Sequence, residues 1–313
     1  MKKKNILTCH LKLVLILCTG LMLQAPGAFS QGCSDAGFCT INSIKNNEPD
    51  SIIGKKEYKN HLSFGISYGI GDFNIRIINP YLEYYRALSQ KFSLAGRLYY
   101  LSASGSLTSV SGLSDFIFSA SYSVNKRMKT TLGVKIPFND GNLKSDGNPL
   151  PMNYQTSLGT FDLIAGYSFS YKNLGITFAM QQPLTQNNNQ FLPGLGPAYG
   201  ILYPSTYKFK RSGDVLFRAS YSIPLLKDKL YLTPSLLPIY HLTNDRYTNE
   251  FNEEVEINGS KGLTINIVIF LQFTPSDRHK IELGFARPFV TRAARPDGLT
   301  RHYVVALEYK IFF

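Results

Sequence analysis

Four histidines lie beyond the first thirty residues: His61, His241, His279 and His302. A hydrolase needs one of them against a serine or cysteine nucleophile. A zinc site needs several gathered with cysteines at ligand spacing. None of the four stands in a His-Glu-x-x-His motif, and no Cys/His cluster has metal-ligand spacing. A serine, a histidine and an Asn or Asp could still meet across neighbouring strands, which sequence spacing does not test. His302 shares an alternating face with Glu308 and Lys310 and reads as an ordinary interior residue. No catalytic, cofactor-binding or metal residue is therefore assigned, and the chain is expected not to be an enzyme.

A second set of polar residues is spread along the chain: Arg97, Lys129, Lys135, Asp162, Arg218, Glu282, Glu308 and Lys310. Each falls on the polar face of a segment whose other face is apolar. Charge on a pore lining selects which solutes pass. Such charges also serve simply to fill a narrow interior with ion pairs. Both readings stand on the residues alone.

The elements that carry them have period two. Tyr303, Val305, Leu307, Tyr309, Ile311 and Phe313 alternate with a face holding His302, Glu308 and Lys310. Leu263, Ile265, Ile267, Ile269, Leu271 and Phe273 alternate with Thr264, Asn266 and Gln272. Twelve such strands are predicted, at 60–70, 73–87, 91–104, 112–125, 127–138, 158–172, 174–184, 206–223, 228–242, 261–275, 279–291 and 299–313. Most have the roughly 9–11 residues that a tilted strand needs to cross a bilayer. Their connections alternate: short at 88–90, 125–127, 171–173, 225–228 and 275–278, and mostly long at 105–111, 139–157, 185–205, 243–260 and 292–298. Only the connection near Gly69–Asp72 breaks the pattern by being short on the long side. Short turns on one side and long loops on the other is the outer-membrane arrangement, and an even strand count puts both termini in the periplasm.

Composition agrees. The 313 residues include 20 Tyr, 21 Phe and no Trp, with 17% charged, which excludes a disordered chain. Beyond the leader there is no apolar run long enough for a membrane helix. A charged side chain facing lipid at mid-bilayer costs about 2–4 kcal/mol, so the apolar faces must point outward. Open strand edges cannot persist in hydrocarbon, so the sheet must close. The expected fold is all-β, a transmembrane antiparallel up-and-down barrel. The competing reading is a secreted β-sandwich, whose surface would carry more charge.

Domain organisation follows. Residues 1–30 read as a secretory signal: Lys2-Lys3-Lys4, an apolar stretch from Leu11 to Leu23, then Ala28-Phe29-Ser30. An uncleaved anchor is the other reading. Loss of the leader removes four lysines and no acid, taking the formal charge from +12 to +8. Residues 31–57 form a periplasmic segment and 58–313 the barrel. Cys33 and Cys39 are the only cysteines left, and a small local disulfide suits an oxidising compartment. Two free thiols in a tail is the alternative. The excess cations are dispersed, with no basic stripe, so nucleic acid is not expected as a partner. Outer-membrane lipid and lipopolysaccharide are, as is a small-molecule solute.

One loop stands apart. After Asn187-Asn188-Asn189-Gln190, the 185–205 connection carries Phe191, Leu192, Leu195, Tyr199, Leu202 and Tyr203. Apolar residues on a long external loop mark a contact surface, so a gate over the barrel mouth is expected. A cap that only covers the barrel or meets lipopolysaccharide is the alternative. The acidic loop 243–260, with Asp245, Glu250, Glu253, Glu254 and Glu256, lacks calcium-loop spacing and reads as a solvated surface.

Several stretches carry a resemblance. They are Gly112-Leu113-Ser114-Asp115 leading into Phe116 to Tyr122, Leu132 to Pro137 with Asn139-Asp140-Gly141, Leu150 to Gln155, Ser157 to Asp162 leading into Ala165 to Ser168, and Tyr207 to Asp214. In this order they resemble the outer-membrane transporter-like proteins named for the meta-pathway of phenol degradation. That family usually has Gly-Asp where this chain has Ser114-Asp115, and Gly-Ser-Gly near Ser157-Leu158-Gly159. The resemblance spans roughly 110–223. It implies an outer-membrane barrel that passes small, often hydrophobic, compounds. The ending on Phe313 resembles the C-terminal signal read by the barrel assembly machinery. A passive channel or transporter for small, partly hydrophobic solutes is the expected function. A non-transporting barrel, whether structural, adhesive or hydrolytic, is the alternative.

Overall fold

The computed structural model describes Ile44 and residues 58–193, 203–226, 229–298 and 301–313. Twelve strands form one closed antiparallel barrel. They are β1 (Asn60–Gly71), β2 (Arg76–Ala87), β3 (Phe92–Ser104), β4 (Ser109–Ser123), β5 (Met128–Pro137) and β6 (Asp162–Tyr171). They continue as β7 (Leu174–Pro183), β8 (Asp214–Tyr221, resuming at Ile223–Leu226), β9 (Leu230–His241), β10 (Gly262–Ser276), β11 (His279–Val290) and β12 (Arg301–Phe312). Each strand pairs with its sequence neighbours, and β12 returns to β1 with Gly65 opposite Glu308. Phe313 and Asn60 exchange backbone hydrogen bonds at 3.0 Å and finish that seam. No sheet edge is left toward lipid, as a hydrocarbon solvent demands.

The pleat sorts the side chains. Phe64 and Ile66 on β1, Leu132 on β5, Phe178 on β7 and Leu307 on β12 are exposed on the outside. Their neighbours one residue away, among them Ser63, Thr131, Thr177 and Glu308, are buried inside. Two ladders lapse where the outward residue is proline, which has no N–H to donate. The β2–β3 pairing skips from Ile78–Ser102 to Tyr81–Tyr99 around Pro80. The β8–β9 pairing skips from Leu216–Ile239 to Ala219–Leu236 around Pro238.

Four predicted strand limits shift by three residues or more at the extracellular end, one of them the start of β2, which moves from 73 to Arg76 because Asp72–Asn74 form a 3-10 turn. Residues 158–161 and 206–213 are not strand: Thr160, Thr206 and Arg211 are buried among loops, tied there by side-chain hydrogen bonds. β4 starts earlier than predicted, at Ser109, so the β3–β4 connection is only residues 105–108. The remaining extracellular connections, apart from 72–75, are long and the periplasmic turns are tight. The predicted leader, the Cys33–Cys39 pair and most of 31–57 lie outside the described residues.

One glycine fixes the packing of the inner wall. A Cβ on Gly65 would fall within the Tyr81 ring, which lies flat across β1. That position lets Tyr81 hydrogen-bond Glu308 on the far side of β1. Gly65→Ala should therefore displace Tyr81 and destabilise the barrel by about 1–3 kcal/mol, the usual range for overpacking. Urea unfolding of refolded protein in lipid vesicles measures this, and an unchanged midpoint would contradict it.

Candidate functional site: lumen and extracellular cap

Inward-facing residues of the strands meet in a layered interior. At mid-height Tyr99, Ile117, Ile164, Ala179, Leu216, Leu237, Ile239, Val268 and Phe270 form one buried apolar cluster. They come from seven strands, so the apolar layer crosses the lumen rather than lining one wall. Ile44 belongs to this cluster at 1% exposure. Its carbonyl accepts a 3.0 Å hydrogen bond from Arg218 Nη1, and its side chain sits over Gly166. A Cβ at Gly166 would stand 2.8 Å from Ile44 Cδ1. The chain ahead of β1 thus has a residue lodged inside the barrel.

The charged residues singled out from the sequence fall into separate groups. Arg97 lies against Glu83, with Nη2–Oε2 at 2.7 Å and Nε–Oε2 at 2.8 Å, and its guanidinium covers the Tyr81 ring at 4.2 Å. Glu308 is 3.8 Å from Arg97 and 3.1 Å from Lys310, so three of the eight share this wall of β2, β3 and β12. Lys135 and Asp162 form a second group on β5 and β6, 2.9 Å apart, with Thr160 and Gln181 as further partners. Arg218 and Glu282 interact electrostatically across the lumen, and Gln272 donates to Glu282 at 2.6 Å. Lys129 is half-buried near the start of β5. Glu83 was missed by the sequence reading, although the alternation Ile77, Asn79, Tyr81, Glu83, Tyr85 on β2 marks it as inward.

Above the apolar layer the extracellular loops fold in and close the mouth. Phe191 and Tyr203, both from the expected gating loop, are buried with Ile75, Ile77, Leu101, Ala103, Leu150 and Tyr154. Leu192 is half-buried, while Leu195, Tyr199 and Leu202 lie outside the described residues. The Tyr203 hydroxyl meets that of Tyr154 at 3.4 Å, and the Tyr154 hydroxyl accepts from Leu107 N at 3.1 Å.

Asn189 holds this cap together. Its Nδ2 donates to the carbonyls of Gly141 (2.8 Å) and Leu150 (2.9 Å). Its Oδ1 accepts from Phe191 N (3.1 Å) and Thr206 Oγ1 (2.8 Å). One fully buried amide thereby joins the 138–161 loop to both arms of the gating loop. Its sequence context, a run of asparagines, reads only as polar loop. Nothing in a single sequence distinguishes a solvated Asn from one satisfied on every side.

A charged latch adjoins the cap. His241, at the end of β9, places Nδ1 2.7 Å from Asp214 and Nε2 2.8 Å from Asp245. Only a doubly protonated ring donates to both carboxylates. Arg211 pairs with Asp214, and Arg292 pairs with Asp297 at 2.8 Å. Asp245 also accepts from Ser212 N at 2.9 Å. Asp245 is fully buried, which corrects the reading of the whole acidic loop as solvated. Glu250, Glu253, Glu254 and Glu256 do remain exposed. The latch ties the loop after Tyr203 to those after β9 and β11.

The interior offers no serine–histidine couple at His241, whose ring nitrogens both face carboxylates. The Nδ1 of His279 is held at 2.7 Å by the Tyr309 hydroxyl. Gly65-Ile66-Ser67-Tyr68-Gly69 has the spacing of a nucleophile elbow but runs straight through β1, with Ser67 opposite Asn79 and Ala306. An elbow requires a sharp turn from strand into helix.

Asn189→Leu leaves the Gly141 carbonyl unpaired, at about 1–3 kcal/mol, and removes one of the two donors to the Leu150 carbonyl, where Gln155 Nε2 stays at 2.8 Å. The cap should loosen while the barrel stays folded. Ion conductance of the variant in planar bilayers should rise several-fold over wild type with heat-modifiable gel migration unchanged. Equal conductance would contradict the assignment. Acid should loosen the latch. Burial alone would raise the Asp297 carboxyl, but Arg292, Arg211 and His241 outweigh it and hold it below its ordinary 3.8. A depressed carboxyl stabilises the fold above its unfolded value and loses that contribution as pH falls through the folded one. Hydrogen exchange in 291–298 should therefore accelerate below about pH 4, and Asp297→Asn should remove the dependence.

No known family pattern and no curated protein sequence matches the chain. Among solved structures, the COG4313 outer membrane channel from Pseudomonas putida F1 is similar at 13% identity and a TM-score of 0.55, covering 86% of this chain and 100% of that one. A Pseudomonas aeruginosa FadL homologue is similar at 8% identity and a TM-score of 0.43, covering 91% and 100%. The NanC porin is similar at 9% identity and a TM-score of 0.44, covering 80% and 98%. Only the first likeness is close enough to bear on the fold. Together with the closed barrel and its apolar exterior, it shows that this chain has the fold of an outer-membrane β-barrel.

Proposed function

We propose that the protein is a non-enzymatic passive channel or transporter for small, partly hydrophobic solutes, gated by the extracellular cap. The observation that carries this reading is the apolar layer across the lumen beneath an apolar cap. A hydrated ion crossing such a layer must shed water with no polar replacement, whereas an apolar solute is matched by it. The charged groups on either side are neutralised by one another, so they select less by charge than by excluding anything large. The resemblance over 110–223 to the meta-pathway transporter-like family supports the same reading. So does the name of the P. putida structure, an outer membrane channel.

Phe313, 55% exposed at the β1–β12 seam, is offered to the assembly machinery in this account. One observation favours a second reading: Ile44 inside the lumen keeps the barrel shut from within, as a purely structural barrel would be. The two readings diverge when the cap is removed. Deleting 190–204 should speed uptake of an apolar aromatic solute by porin-deficient cells several-fold, with much less gain for a sugar of equal size. Unchanged uptake of both, in protein shown to be folded and inserted, would favour the structural barrel.

A further inference from the structure

The periplasmic rim is basic to a degree that the extracellular rim is not. Lys91 follows the β2–β3 turn, Lys126 and Arg127 occupy the β4–β5 turn, and Lys172 sits between β6 and β7. Lys229 precedes β9 and Arg278 precedes β11. Lys59 and Arg86 add two cations beside the β1–β2 pair. All eight are exposed, and among the described residues of these turns Asp277 is the one exposed acid. In the sequence just ahead of Lys229, Lys227 and Asp228 are opposite in charge. The extracellular loops instead mix signs, with Lys210 and Arg246 paired to Glu254 and Arg246 also to Glu256.

An outward aromatic belt lies directly beneath the cations. Tyr84, Phe92, Tyr122, Tyr171, Tyr221 and Phe273 are all exposed one or a few residues from the turns. At Tyr171 two of the cations meet one ring of the belt. Arg127 holds its guanidinium 4.9 Å from the Tyr171 ring centre, and Lys172 Nζ is at 5.4 Å. Arg127 is itself fixed. Asn125 Oδ1 accepts from Arg127 N at 2.8 Å and from Met128 N at 3.0 Å, and the Arg127 carbonyl accepts from Ser170 N at 2.8 Å.

We propose that this rim binds anionic phospholipid headgroups of the inner leaflet, with Arg127 and Lys172 clamping a phosphate above the Tyr171 ring. The chemistry required is an anion attached to an apolar tail. The cations meet the head and the aromatic belt meets the tail, which a soluble acidic protein or polymer does not match. Lipopolysaccharide lies in the other leaflet, against the charge-balanced loops. The distribution right around the barrel fits a lipid annulus rather than a single docked partner. The inference is independent of what the lumen carries.

Native mass spectrometry of the full chain released from mixed micelles tests it, with phosphatidylglycerol and phosphatidylethanolamine supplied equally. Wild type should retain phosphatidylglycerol preferentially and lose the preference in high salt. Each rim cation near a membrane surface changes such binding by about fivefold, so Arg127→Gln with Lys172→Gln should lower the preference by about twenty-fivefold. Arg246→Gln, on the extracellular hairpin, should leave it unchanged, and gel migration after heating shows that each variant is folded. Equal retention of the two lipids by wild type, or an unaltered preference in the double variant, would overturn the proposal. Glycerol phosphate binding as tightly as the whole lipid would also overturn it, by showing a free-anion site.

Discussion

A backbone amide or carbonyl facing hydrocarbon has no water to bond, and this constraint governs the molecule. A single sheet satisfies it only by closing, which β12 does against β1 along eleven paired positions, down to the terminal Phe313. Closure sets one face of every strand to lipid and the other to the interior. The outward face must then be apolar throughout, and the inward face is left to accept whatever the interior demands. Where the backbone cannot pair, at Pro80 and Pro238, the lapse is confined to two residues on one side of the strand while the other neighbour stays bonded.

The interior demand is to fill a space wider than a few side chains can close. Long residues line its walls in cross-strand pairs whose charges cancel, such as Arg97 opposite Glu83 and Lys135 opposite Asp162. Buried ion pairs add little net stability against an apolar equivalent, but losing one partner is severe. Their value here lies in position: Tyr81 reaches Glu308 over Gly65, and Arg97 is held flat on Tyr81. The apolar layer and Ile44 occupy the middle. A cavity of about 30 Å³ between the cap and Arg301, touching Asp115, Gln155 and Ser157, has room for little more than bound water. Under the proposed function, passage requires both the cap and Ile44 to move.

How much of this could be read beforehand depends on the kind of interaction. Strand number and facing follow from period two, because one residue of slip would turn every apolar side chain to the wrong side. Leu263 to Phe273 and Tyr303 to Phe313 show it plainly. The cap was visible only as an apolar loop: Phe191 and Tyr203 stand out by type, and both are buried. Asn189, His241 and Asp245 do not, because their roles arise from partners 17 to 48 residues away or on other loops. Overextended strands at 158–161 and 206–213 fail for the same reason. Their local pattern is strand-like, and hydrogen bonds from distant loops draw them into the cap.

The central claim is that a hydrogen-bonded extracellular cap seals an apolar lumen. Labelling a cysteine at Ala179, on the inner face of β7, tests it most directly, with Cys33 and Cys39 replaced by serine. A membrane-impermeant maleimide added outside intact cells should leave Ala179→Cys unmodified while the cap is whole. Adding Asn189→Leu should make the same site react readily. Rapid labelling with the cap intact would contradict the account, as would equal protection in both proteins.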